Sequence, residues 1–168
     1  MQIESLREEF ILFCKRNKLE ENINQIKIVE KISEFLKKKK NFLNFFGKSN
    51  KKKCFYLFGG VGVGKTMIFD FVFNQLECKK HRSHFNEFMI SFHNHRHKKS
   101  KKGVSIDSFV KKLKKYKLIY LDEFQVTNIV DAMILGNLFK KIFDEGIKVF
   151  ITSNERPDDL YKDGLQRG

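Results

Sequence analysis

Eight consecutive residues, Gly59, Gly60, Val61, Gly62, Val63, Gly64, Lys65 and Thr66, satisfy the phosphate-loop pattern G-x-x-x-x-G-K-[ST] without a mismatch. Their chemistry is anion binding. Glycine carries no Cβ, so the backbone here can take positive φ and turn its N–H groups inward onto a phosphate. Lys65 is expected to reach the β- and γ-phosphates of a nucleotide, and the Thr66 hydroxyl to ligate Mg²⁺. Further along, the apolar run Leu118–Leu121 ends in Asp122 and Glu123. An acidic pair after a strand says little alone, but it says much when a phosphate loop precedes it. Asp122 is then expected to hold Mg²⁺ opposite Thr66, directly or through water, and Glu123 to polarise the attacking water as general base. A solvent-facing carboxylate capping the next turn is the plainer role for Glu123. Asn154 follows the next apolar run, where its amide can donate to a γ-phosphate and accept from the water that Glu123 holds. Capping the short segment opened by Pro157 is its plainer role. These residues supply most of the positioning and charge neutralisation that phosphoryl transfer needs, short of a further cation near the leaving phosphates.

The elements that must position these groups are readable from periodicity. Lys53 to Phe58 reads as the strand that delivers the chain into the loop, and Lys65 to Leu76 as the apolar helix that leaves it, adding its N-terminal N–H groups to the cradle. Before them, Ile3, Leu6, Phe10 and Phe13 mark one amphipathic helix. Ile23, Ile26, Val29 or Ile32, and Phe35 with Leu36 mark a second that follows Asn22. These two are expected to pack against the core or partly roof the base pocket, and a linker centred on Gly47 to Asn50 follows them. Arg82 to Phe85 reads as a short strand and Glu87 to His97 as a helix. Of His93, His95 and His97, a helix would let the first and last share a face, whereas a strand would let all three converge; no metal ligand set is assigned to them. Ser105 to Lys115 reads as a helix, Leu118 to Leu121 as a strand buried on both sides, Asn128 to Glu145 as a long helix stopped by Gly146, and Val149 to Thr152 as a fourth strand. Strands alternating with helices imply an α/β fold with a parallel sheet flanked by helices, whose ligand groups gather at the carboxyl edge. By length the chain is one domain, read as residues 1–50, an N-terminal helical segment packing on the core, and residues 51–168, the nucleotide-binding core.

Composition narrows the setting. Three cysteines without C-x-x-C spacing argue against a disulfide framework and a zinc site, and suit a reducing cytoplasm. The N-terminus lacks the order of a secretory signal, and no apolar run is long enough to cross a bilayer. The formal net charge of +14 points either to an anionic partner such as nucleic acid or to solvated surface and coding bias. The dispersed lysine runs, most of them flanking predicted elements, favour the second.

With these residues in hand, the chain resembles the AFG-type ATPases, comprising the bacterial Z-ring-associated ZapE proteins and their mitochondrial relatives, in the AAA+ branch of P-loop nucleotidases. The matching strings are GGVGVGKTM from Gly59, HFNEFM from His84, YLDEFQVTNIVDAMIL from Tyr120, and TSN with PDDLYKDGLQR up to Arg167. The resemblance implies hydrolysis of ATP with Mg²⁺, Lys65 and Thr66 matching Walker A, Asp122 and Glu123 matching Walker B, and Asn154 matching a sensor. It also implies remodelling of protein partners in cell division or membrane protein quality control, a homo-oligomer, and a cytoplasmic protein that can sit peripheral to the inner membrane. Asn86, Asn128, Glu155 and Arg156 depart from the family pattern, which bears on partner contacts more than on ATP. Family members continue past GLQR into a final core strand and a helical lid. A chain lacking both is expected to leave Lys53 to Phe58 as a sheet edge, and Arg167, which could match a trans-acting arginine finger, at a terminus. The alternatives are an ATP-binding remnant with little or no turnover and a nucleic-acid-associated AAA+ module.

Overall fold

The protein is described from a computed structural model, in residues 6–37, 52–97, 106–127 and 129–160. The Gly47 to Asn50 linker, Lys99 to Gly103, Asn128 and Arg167 lie outside the described residues. Two helices come first, α1 (Leu6–Arg16) and α2 (Ile23–Leu36). In α1 the buried residues Leu6, Phe10 and Cys14 recur every four positions, and in α2 Val29, Ile32, Ser33 and Leu36 form the matching stripe. The Asn22 side chain starts α2 by accepting from the backbone N–H of Asn24 at 2.9 Å and of Gln25 at 3.4 Å.

Strands and helices then alternate: β1 (Cys54–Phe58), α3 (Lys65–Gln75), β2 (Lys80–His84), α4 (Phe85–His97), α5 (Ile106–Leu113), β3 (Leu118–Asp122), α6 (Ile129–Asp144) and β4 (Lys148–Ser153). The four strands form one parallel sheet in the order β1-β4-β3-β2, so β1 and β2 are its edges among the described residues. Strand β2 begins two residues earlier than Arg82 and ends at His84, because its backbone pairs with β3 from Lys80 onward and Phe85 opens α4 without a loop. Gly146, at φ 73°, ends α6. Its N–H donates to Phe143 O at 2.9 Å, a left-handed stop that glycine adopts without strain.

Strand register sorts the side chains into two cores. On one face Phe55, Phe150 and Tyr120 lie in a row across β1, β4 and β3, and Phe69 of α3 stacks on Phe150 with centroids 4.5 Å apart. Helices α1 and α2 complete this core, so they cover the face of the sheet beside α3. On the other face Ile119, Leu121, Val149 and Ile151 meet Phe88, Phe92, Phe109 and Leu138 from α4, α5 and α6. With helices on both faces, every residue of β3 is buried. Lysines at strand starts fasten helix ends: Lys148 Nζ donates to Phe35 O at 2.7 Å and Leu36 O at 3.2 Å, Lys80 to Phe73 O and to Leu76 O at 2.6 Å, and Lys53 to Phe143 O. Each meets the negative end of a helix dipole. Among the described residues no helix is long and apolar enough to cross a membrane.

Candidate functional site

All four strands run the same way, so the residues that follow them collect along one edge of the sheet. Strand β1 ends at Phe58 and runs straight into the loop, which turns through positive φ at Gly59, Gly62 and Gly64. Gly64 stands just ahead of α3 at φ 86° and ψ 18°, and no side chain caps the helix. The first N–H groups of α3 therefore face outward with the positive end of its dipole, an arrangement suited to a phosphate. Val61 and Val63 are exposed on the outside of the loop.

Lys65 lies back over this loop. Its Nζ donates to Gly59 O at 2.8 Å, to Gly60 O at 2.7 Å and to Asn154 Oδ1 at 3.0 Å. Asn154, one residue past β4, thus meets the loop lysine across the edge of the sheet. Thr66, the next residue, donates from Oγ1 to Asp122 Oδ1 at 3.2 Å, joining the first turn of α3 to the end of β3. Asp122 is 3% exposed. Its Oδ1 also accepts from Thr152 Oγ1 and, at 3.2 Å, from the Glu123 N–H, while Oδ2 accepts from Arg82 at 3.0 Å. Burial alone would raise the Asp122 carboxyl, but the hydrogen bonds from Thr152 and Arg82, with the Arg82 charge, outweigh it and hold the group below the usual carboxylate range.

Glu123 points elsewhere for a backbone reason. It sits at φ 55°, a left-handed conformation uncommon outside glycine, and its N–H is held by Asp122 Oδ1 and, at 3.1 Å, by Thr152 Oγ1. The carboxylate is thereby turned out of the buried row into the open, with its Oε2 3.5 Å from His84 Nδ1 at the end of β2. Thr66 and Asp122 are hard oxygen donors, and Mg²⁺ binds through one or two such groups together with substrate phosphates, so the pair fits that cation. The histidines of α4 sit elsewhere: His93 bonds Asp131 of α6 at 2.6 Å and His95 bonds Ser108 of α5 at 2.8 Å. On this helix His93 and His95, two residues apart, do not share a face.

A model of the AFG1-like ATPases matches residues 14–168, nearly the whole chain. The chain belongs to this family. Lactation elevated protein 1 homolog B of Danio rerio is 40% identical over 126 residues, which cover 67% of this chain and 25% of the relative. Cell division protein ZapE of Escherichia coli (strain K12) is 39% identical over 114 residues, covering 67% and 30%. The chain thus spans a quarter to three tenths of the length of these relatives. Among solved structures, AMPPCP-bound DnaA from Aquifex aeolicus superposes with a TM-score of 0.63 at 18% identity, covering 89% of this chain and 44% of that one. At that identity the likeness concerns the fold, the α/β P-loop AAA+ fold.

Three residues of this site escape a reading by motif. Arg82 touches Asp122 from β2, Thr152 touches it from β4, and Gln25 of α2 donates from Nε2 to Val63 O at 3.2 Å, reaching the loop from the N-terminal helices. One signal for Arg82 was available. Lys80, Arg82 and His84 make every other residue of a five-residue strand basic, which is odd for a face turned towards a helix.

Proposed function

We propose that this chain is the nucleotide core of an ATPase that binds ATP with Mg²⁺ in the loop Gly59 to Thr66 and hydrolyses it to drive remodelling of protein partners. The observation that carries the reading is the Thr66–Asp122 contact of 3.2 Å beneath a glycine loop whose lysine lies across it. Loop N–H groups and Lys65 take the phosphates. The Lys65 ammonium, held by neutral oxygens, gains an ion pair by exchanging any of them for a negatively charged phosphate oxygen. Thr66 and Asp122 are the residues that would hold Mg²⁺, which would supply positive charge to offset that of the phosphates. Glu123, turned out of the buried row, orients the attacking water and draws on its proton. Asn154, already on Lys65, is placed to contact the terminal phosphate. Family membership further supports work on protein partners or with further copies of the chain, in the cytoplasm.

Phosphate release by the purified protein tests this. Lys65→Ala is expected to lose nucleotide binding and turnover together, and Glu123→Gln to keep nucleotide while losing turnover by about 10²-fold or more. Equal release by wild type and Glu123→Gln would sink hydrolysis at this site. Tight nucleotide binding with no release by wild type would leave a binding module only.

A further inference from the structure

Beneath the loop, five side chains from three elements meet on one face of the sheet. Thr66 and Asp70 are four residues apart on α3, so they point the same way, with Asp70 one turn behind. On β3, Tyr120 and Asp122 face them, and Arg82 of β2 stands in register with Tyr120. Arg82 spans the group. One guanidinium nitrogen lies 2.8 Å from Asp70 Oδ1, the other 3.0 Å from Asp122 Oδ2, and the guanidinium carbon sits 5.0 Å from the centre of the Tyr120 ring.

The contacts on Asp122 divide by oxygen. Oδ1 accepts from Thr66, Thr152 and the Glu123 N–H, and it is the oxygen turned towards the phosphate loop. Oδ2 faces Arg82. A carboxylate that is 3% exposed rotates or loses its charge unless both oxygens are satisfied. Arg82 is itself held at three points, by Asp70, by Asp122 and by the Tyr120 ring, so its fork is a fixed reference for the carboxylate plane. Lysine could supply the charge but has no planar fork with which to span two carboxylates.

We infer that Arg82 is a positioning residue for the Mg²⁺ site: anchored by Asp70 and Tyr120, it fixes the Asp122 carboxylate by Oδ2 so that Oδ1 faces Thr66 and the cation. The inference rests on the ATPase reading and adds to it a residue acting through Asp122, without itself meeting nucleotide. One guanidinium between two carboxylates also leaves one negative charge in excess, which suits a neighbouring divalent cation.

The test is binding of mant-ATP, a fluorescent nucleotide, measured with excess Mg²⁺ and with EDTA, on wild type, Arg82→Met and Arg82→Lys. The ratio of the two affinities isolates the cation. Arg82→Met is expected to lower that ratio by about 10–100-fold, the usual cost of losing a residue that orients a metal ligand, with EDTA affinity within about twofold of wild type. Arg82→Lys should recover part of the ratio. A purely structural role would move melting temperature and both affinities together and leave the ratio unchanged, which overturns the inference. Should Arg82→Met fail to fold, Asp70→Asn, which frees one end of the clamp, is expected to lower the same ratio, and an unchanged ratio there overturns the inference equally. A wild type with no mant-ATP affinity in either buffer overturns the ATPase reading and this role with it.

Discussion

At the scale of single residues, the loop is constrained from the side of the N-terminal helices as well as by its own glycines. A Cβ placed on Gly64 would lie 2.7 Å from Gln25 Nε2, and the residue sits at φ 86°. Two costs follow for Gly64→Ala: about 1–2 kcal/mol for the left-handed backbone, and displacement of the Gln25 amide from Val63 O. Gly64→Ala is therefore expected to weaken nucleotide affinity and lower stability. Adding Gln25→Ala should relieve the clash and leave the backbone cost, so that the double variant is more stable than the sum of the two single changes in a denaturant titration. Additive losses would mean that the amide is not in the way. The loop itself could be read because it is contiguous. Asp122 and Glu123 could be read because they follow an apolar run. Thr152 and Gln25 could not, and Arg82 only through the alternation of basic residues in its strand, since each joins the site through strand register or helix docking, which place residues far apart in sequence side by side.

Elements were largely visible in the sequence where apolar periodicity is strong, as in α2, β3 and α6, and less so where polar residues do structural work. Strand β2 reads KHRSH and has little hydrophobic signature, because none of its residues is buried and the side facing α3 carries Lys80 and Arg82, which meet carbonyls and carboxylates. His81 projects to the opposite face and stacks on Tyr116 at 5.1 Å. Burial, with help from the nearby Lys115 charge, lowers its pKa from the ordinary 6.5. The unfolded chain then takes the proton first, so the contribution of this residue to stability is present above pH 6.5 and is lost as pH falls towards the folded value. His81→Phe, which keeps a stacking ring, should flatten the pH dependence of unfolding free energy in that window; an unchanged slope would exclude His81 as its source. Lys148 gives a second expectation. Holding two carbonyls at the end of α2 and lying over the Phe35 ring, it ties a helix to the sheet, so Lys148→Ala should cost about 1.5–3 kcal/mol by urea unfolding. Lys112→Ala, at an exposed position, should stay within about 0.5 kcal/mol.

For the molecule as a whole, a formal charge of +14 raises the question of what the basic side chains do. Some serve the fold and the loop: Lys53, Lys80 and Lys148 meet helix carbonyls, Lys65 lies on the loop, and Arg82 spans two carboxylates. Others are paired with acids, as in Arg7–Glu30, Lys15–Glu21, Lys114–Glu145 and Lys141–Asp107. Sequence could not separate these roles from a polyanion-binding face, because the partner of a capping lysine can be as distant as Phe35 is from Lys148. The distinction is measurable through counterion release. A face built for nucleic acid neutralises many phosphates at once, and its log affinity falls with log salt at a slope of about −0.9 for each duplex phosphate neutralised. Among the described residues, lysines divided among helix ends and ion pairs present few charges to any one duplex. Binding of DNA, followed by anisotropy from about 50 to 200 mM salt, is accordingly expected to be weak, with a slope matching roughly two or three phosphates. A slope of about six or more, with affinity stronger than the micromolar range of non-specific binding, would show that a nucleic-acid face exists.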